Sequence, residues 1–123
     1  MLSKVYRYEN PIDGMGTYNC GLDGVDLSLF KEKLLKNHSK RKDRPTLELD
    51  SLDFALFVDE FKTGCNSLKE LKEWFKGYNK KLIKAGLVIV EYVVENKIDG
   101  KSKKQCVFHI NAIISKKIIE QKK

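Results

Sequence analysis

The sequence predicts an α+β fold: a small, mainly antiparallel sheet with a principal amphipathic helix, about 68–85, packed on it, and one or two short helices alongside. Two observations predict it. Leu68, Leu71, Trp74, Phe75, Tyr78 and Leu82 recur at three- to four-residue steps, the pattern of a helix with one buried stripe. Immediately after Gly86, Leu87 to Val94 (LVIVEYVV) is dense in β-branched residues, as a strand requires. The helix stripe is expected to bury against that strand. A chain of 123 residues is expected to form a single globular domain over 1–123, large enough to build a core without staples.

The elements follow in order. Val5 to Glu9 reads as a first strand, with Tyr6 and Tyr8 on one face and Val5, Arg7 and Glu9 on the other. Asn10-Pro11 ends it, and a loop punctuated by Gly14, Gly16, Gly21 and Gly24 follows. That loop matches neither G-x-x-x-x-G-K-[ST] nor G-x-G-x-x-G, so it carries no nucleotide fingerprint. Asp26 caps a short helix with Leu27, Phe30, Leu34 and Leu35 on its buried side, which frays into the basic run Lys36 to Arg44 before Pro45 restarts the chain. Phe54, Phe57, Val58 and Phe61 step at helical spacing, so Leu52 to Phe61 is read as a helix or helical turn closed by Thr63-Gly64.

Ser67 and Glu70 have the S-x-x-E spacing of a capping box, which opens the principal helix. Gly77 inside it costs about 1 kcal/mol relative to alanine, and Gly86 suits the left-handed residue that ends a helix. Gln105 to Ile110 reads as a further strand, and Asp99-Gly100 before it as a turn within a lysine-rich connection. Ile113, Ile114, Ile118 and Ile119 fit either a short helix or a turn followed by a last strand.

Charge points to the class of partner. The 24 Lys and Arg outnumber the 17 Asp and Glu by seven, a bias toward polyanions. The excess is concentrated at Lys36, Lys40, Arg41, Lys42 and Arg44 and again at Lys101, Lys103 and Lys104, with an acidic stretch from Glu48 to Glu60 between them. Cys20, Cys65 and Cys106 are odd in number and lack zinc-site spacing, so reduced, buried thiols are expected and a structural metal is not. No apolar run approaches the roughly 18 residues of a membrane span, and the amino-terminal residues lack a secretory h-region, so the expected location is the cytoplasm.

Individual side chains offer chemistry. Arg7, a guanidinium between two tyrosines, suits a phosphate or carboxylate anchor, against the alternative of an outward residue on an edge strand. Glu91 stands alone in an apolar strand and needs a partner such as Arg7 or a lysine, or else acts as a base of raised pKa. His109 reads as a satisfied strand histidine. Trp74 and Phe75 complete the helix stripe and are assigned to the core, whereas Tyr6, Tyr8, Tyr18 and Tyr92 are better placed to stack on a base.

The segments VYRYEN, GMGTY, GCNSLKELKEWF, AGLVIVEYVV and KKQCVF together resemble a group of small phage and prophage proteins. This resemblance implies an accessory gene of host takeover or defence evasion. The expected function is non-catalytic engagement of a polyanion: nucleic acid, a nucleotide signal or a nucleic-acid-bearing defence complex. Arg7, Lys40, Arg41, Lys42, Arg44, Lys103 and Lys104 are the expected contacts, with no cofactor. More distantly, the order of elements is similar to that of ADP-ribosyltransferases, which implies, as the alternative, an enzyme using NAD to modify a host protein. By position Arg7 would be the first-strand residue, Ser67 would fall near the middle motif, and Gln105 would stand where that family has its catalytic glutamate. A neutral amide stabilises an oxocarbenium-like centre poorly, and Glu91 substitutes for it only if both line one cleft.

Overall fold

The structure, a computed structural model, describes residues 2–11, 52 and 60–119. Strand β1 is Leu2–Glu9 and β2 is Phe61–Gly64; two short helices follow, α1 (Leu68–Trp74) and α2 (Asn79–Lys84). Strand β3 is Val88–Glu95, β4 Ile98–Asp99 and β5 Cys106–His109, and a 3-10 turn at Ile110–Ala112 leads into β6, Ile113–Ile119. Mixed α and β structure with short antiparallel sheets is therefore present, as the residue pattern predicts.

Two three-stranded sheets form, ordered β1-β3-β6 and β2-β5-β4, and every pairing is antiparallel. They meet at Tyr6 and Cys65, whose backbones exchange two hydrogen bonds of 2.8 Å. Asn96, at φ 56°, then turns the end of β3 toward β4. The pairings consequently close a ring, running β3 to β1, across Cys65 to β2, on to β5 and β4, and back along the chain to β3. Gly64 sits beside the junction of Tyr6 and Cys65. A Cβ there would lie 2.4 Å from Cγ1 of Val5 and 3.0 Å from the Tyr6 carbonyl oxygen, a separation that only glycine permits.

Alternation along β1 and β3 divides the core in two. Tyr8, Cys65, Leu87 and Ile89 pack with Leu71, Phe75, Tyr78 and Leu82 of the helical segment, and Tyr8 meets Phe75 edge to face at 5.2 Å. On the opposite side Val5, Val90, Tyr92 and Val94 pack with Cys106 and Phe108. Both clusters are the hydrophobic gain that holds the sheets in place.

The principal helix is the main correction to the sequence reading. Its apolar stripe is buried as expected, and Ser67 caps its start by accepting a 3.1 Å hydrogen bond from the Glu70 N–H. The helix is nevertheless broken. Gly77 adopts φ +89°, outside helical geometry, and Phe75 to Tyr78 form turns between α1 and α2. The break lets both pieces turn apolar residues onto the strands. A second correction concerns Phe61 to Gly64, read as the end and closure of a helix: these residues are β2, paired in register with His109 to Cys106. After Asn111 the chain takes the turn-and-strand alternative.

The glycine loop, the helix after Asp26, the run Lys36 to Arg44, Cys20, Tyr18 and most of Leu52 to Phe61 lie outside the described residues. Leu52 itself is buried. No helix among the described residues is long and apolar enough to cross a membrane.

Candidate functional site

Strand alternation puts Arg7 and Glu9 on the inner side of β1, where both are buried. Glu9 is almost wholly inaccessible and gathers polar groups from four strands. Arg7 Nε lies 3.1 Å from its Oε1, Lys62 Nζ of β2 3.7 Å from the same oxygen, and Lys116 Nζ of β6 3.2 Å from Oε2. The Tyr92 hydroxyl of β3 also donates to Oε1. Arg7 is committed inside the fold as well, donating through Nη1 to the Thr63 carbonyl at 3.1 Å. Lys116 Nζ stands 5.7 Å above the Tyr92 ring, so a cation–π contact holds it over the cluster.

The electrostatics follow from burial. Desolvation lowers the pKa of Arg7, opposed by the attraction of Glu9. Desolvation also lowers that of Lys62, reinforced by repulsion from Arg7. The Tyr92 hydroxyl is raised by burial and by its bond to Glu9. Despite this crowding, neither Arg7 Nε nor Glu9 Oε2 has a well-directed hydrogen-bond partner among the described residues; their contacts are those of charges in proximity.

Glu91 lies on the other face. It is opposite Tyr6 in the β1–β3 register, and accepts a 2.8 Å hydrogen bond from the Tyr6 hydroxyl rather than pairing with Arg7. That bond is the first cause of the raised Tyr6 pKa. Arg7 stands opposite Val90, one residue out of phase, so Arg7 and Glu91 project from opposite faces of the sheet. Gln105 is buried, its carbonyl accepting from Gly100 N–H, and Ser67 is occupied in capping α1. A transferase cleft needs its first-strand cation and its carboxylate to face one space, and Arg7 and Glu91 do not.

A second assembly is built around the turn that carries Lys101, Lys103 and Lys104, all exposed. Gly100 N–H donates to the Gln105 carbonyl and Lys103 N–H to the Gly100 carbonyl, both at 2.9 Å, and Lys104 N–H donates to Ser102 Oγ. Lys103 has φ 62°, a rare conformation for a residue with a side chain, and the Asn66 amide holds its carbonyl at 3.3 Å. Asn66 also accepts from Lys97, which pairs with Asp99 at 2.7 Å. The turn therefore presents its lysines from a braced backbone. Lys104 lines one groove of about 380 Å³ with Ser67, Lys69, Glu70, Glu73 and Trp74. Of the sequence-predicted residues, this groove brings Ser67 and Lys104 together.

Trp74 is thus only half-buried, packed against the core and also lining the groove, where the sequence reading placed it in the core. Tyr8 and Tyr92 go the other way: both are core residues, and neither ring is open for stacking. Helix periodicity marks Trp74 as apolar without showing that the stripe ends there. His109 accepts from Asn111 N–H at Nδ1 and therefore donates through Nε2 to Glu60, 2.8 Å away, leaving neither nitrogen for catalysis. Cys65 and Cys106 are free and buried, and burial pushes both thiols up to about 12.

Lys40, Arg41, Lys42 and Arg44 lie outside the described residues. Lys62, Lys69 and Lys116 are the additional cations; each is isolated from other basic residues or paired within a short strand, so no charge cluster announces it.

No curated protein and no solved structure was found to match this chain. A family model described as Bacteriophage T4 Y00F protein matches residues 1–122, in keeping with the phage resemblance carried by VYRYEN, GCNSLKELKEWF and AGLVIVEYVV. The chain belongs to the Bacteriophage T4 Y00F protein family.

Proposed function

We propose that this chain is a phage accessory protein of host takeover or defence evasion that engages a polyanion, without catalysis, through a basic surface. The observation that carries the proposal is the joint lining of one groove by Lys104, Lys69 and the half-buried Trp74, beside the braced Lys103. An aromatic face next to lysines is the arrangement that binds single-stranded nucleic acid, the ring stacking on a base and the cations meeting phosphates. Glu70 and Glu73 share the groove and offset its two lysines, so the groove suits the base, while phosphates extend toward Lys101 and Lys103. Lys40, Arg41, Lys42 and Arg44 supply further contacts. Arg7, buried and engaged with Glu9, is not one of the groove's contacts.

Trp74 is the one tryptophan of the chain, so its fluorescence reports the groove directly. Titration with a single-stranded oligonucleotide at low salt should quench it saturably. Lys103→Glu with Lys104→Glu should weaken binding, as should charge reversal of Lys40 to Arg44, each with a shallower salt dependence. Quenching by a mononucleotide alone identifies a nucleotide signal as the ligand. Unchanged Trp74 fluorescence and anisotropy with every one of these ligands, or wild-type affinity in both sets of variants, would refute the proposal.

A further inference from the structure

We infer that the Glu9 cluster is a second anion site, on the sheet face opposite the groove, that takes a phosphate monoester or inorganic phosphate in its singly protonated form. It stands on its own geometry and does not rest on the groove. Arg7 and Lys116 by themselves bring two positive charges to one carboxylate, with Lys62 as a third cation nearby. A buried ion cluster is a poor way to stabilise a fold, because desolvation offsets much of the attraction and apolar residues of similar volume serve as well. This cluster is moreover incompletely satisfied. Among the described residues, Arg7 Nε is a buried donor without a directed acceptor, and Glu9 Oε2 a buried acceptor without a directed donor.

These two unmet needs are opposite in kind, and one phosphoryl group meets both. A P–O⁻ oxygen accepts from Arg7 Nε, and the proton retained on the monoanion donates to Glu9 Oε2. Arg7 Nε and Glu9 Oε2 are themselves inaccessible, so entry requires Lys116, the most exposed member of the cluster, to swing aside from Oε2; Lys116 and Lys62 then neutralise the remaining charge. Among the described residues, the charged and titratable groups facing the ligand are Arg7 and Glu9 of β1, Lys62 of β2, Tyr92 of β3 and Lys116 of β6. A diester lacks the proton, so a terminal phosphate is preferred over an internal one.

The test is NMR of the 15N-arginine-labelled protein, with the Arg7 Nε–H resonance assigned by its loss in Arg7→Lys. Inorganic phosphate and a 5′-phosphorylated dinucleotide, added at constant ionic strength, should shift that resonance saturably, and the dinucleotide without its 5′-phosphate should not. Affinity should rise as pH falls through the phosphate's second pKa of about 6. Lys116→Ala, with its fold verified from the amide spectrum, should weaken binding about tenfold, the worth of one charge-assisted hydrogen bond. An Arg7 signal indifferent to phosphate, or shifted equally by chloride, overturns the site. Oligonucleotide quenching of Trp74 in that same sample would show that only this site, and not the groove, had failed.

Discussion

The Tyr8 hydroxyl donates a 2.6 Å hydrogen bond to Oδ1 of Asn79, and the Asn79 amide in turn donates to the Lys72 carbonyl at 2.9 Å. A single side chain thus ties β1 to both helices across the Gly77 break. Lys72 lies in the last turn of α1, where a carbonyl has lost its helical partner, and Asn79 supplies the missing donor from the first turn of α2.

Asn79→Ala removes the acceptor of a nearly buried hydroxyl and the donor to that carbonyl together. The expected cost is about 1–3 kcal/mol in urea denaturation. Tyr8→Phe should cost about 1 kcal/mol, and the double variant less than the sum, because both remove one bond. Strict additivity would show that the bond contributes nothing.

Gly64→Ala places a methyl carbon against Val5 Cγ1 and the Tyr6 carbonyl, at the joint of the two sheets. Overpacking of this kind costs about 1–3 kcal/mol. Val5→Ala, which deletes Cγ1, should recover part of that loss in the Gly64→Ala background, although it is destabilising alone. The sign of the coupling in the double-mutant cycle decides the point.

Glu9→Gln keeps the shape of the side chain and removes the charge, leaving Arg7 buried without its counterion. Breaking a buried pair costs about 3–5 kcal/mol. Arg7→Met combined with Glu9→Leu should cost less than Glu9→Gln alone, since Lys116 and Lys62, both partly exposed, can turn to solvent. Denaturant midpoints of the three proteins test the ordering.

Burial raises the Cys65 and Cys106 thiols from 9.0 to about 12. Between those values the unfolded chain has released protons that the native state still holds, so stability falls as pH rises. The contribution is complete below pH 9 and lost by about pH 12. The denaturation midpoint should therefore decline above pH 9, less steeply in Cys65→Ala and Cys106→Ala. In a Cys20→Ser background, Cys65 and Cys106 should also resist alkylation at neutral pH, and rapid labelling without unfolding would contradict their burial.

What was legible in the sequence was local. The stripe from Leu68 to Leu82, the Ser67 cap and the β-branched run after Gly86 each depend on neighbours within a few residues, and each appears in the structure. Gly77 was visible as a weak point of a helix. Its conversion into a break depends on where Tyr78 and Leu82 must point, which the strands decide. β2 was illegible for a similar reason: Phe-Lys-Thr-Gly has no alternation of its own and is a strand because β5 lies beside it. The same limit hid the Glu9 cluster. Glu9 looked like the polar end of a first strand, and its burial is created by Tyr92 and Lys116, which arrive from the far half of the chain.

The ring of pairings has a consequence for the order of events during synthesis. β1 is synthesised before the partners that pair with it among the described residues, Cys65 and Val88–Glu95, and its edges wait for them. Contacts so distant in sequence form slowly, and a nascent strand waiting for them is open to capture by chaperones or by other chains. Whether the strand pairs or is captured is therefore decided while the rest of the chain is made, a kinetic dependence that stabilising the finished fold would leave untouched.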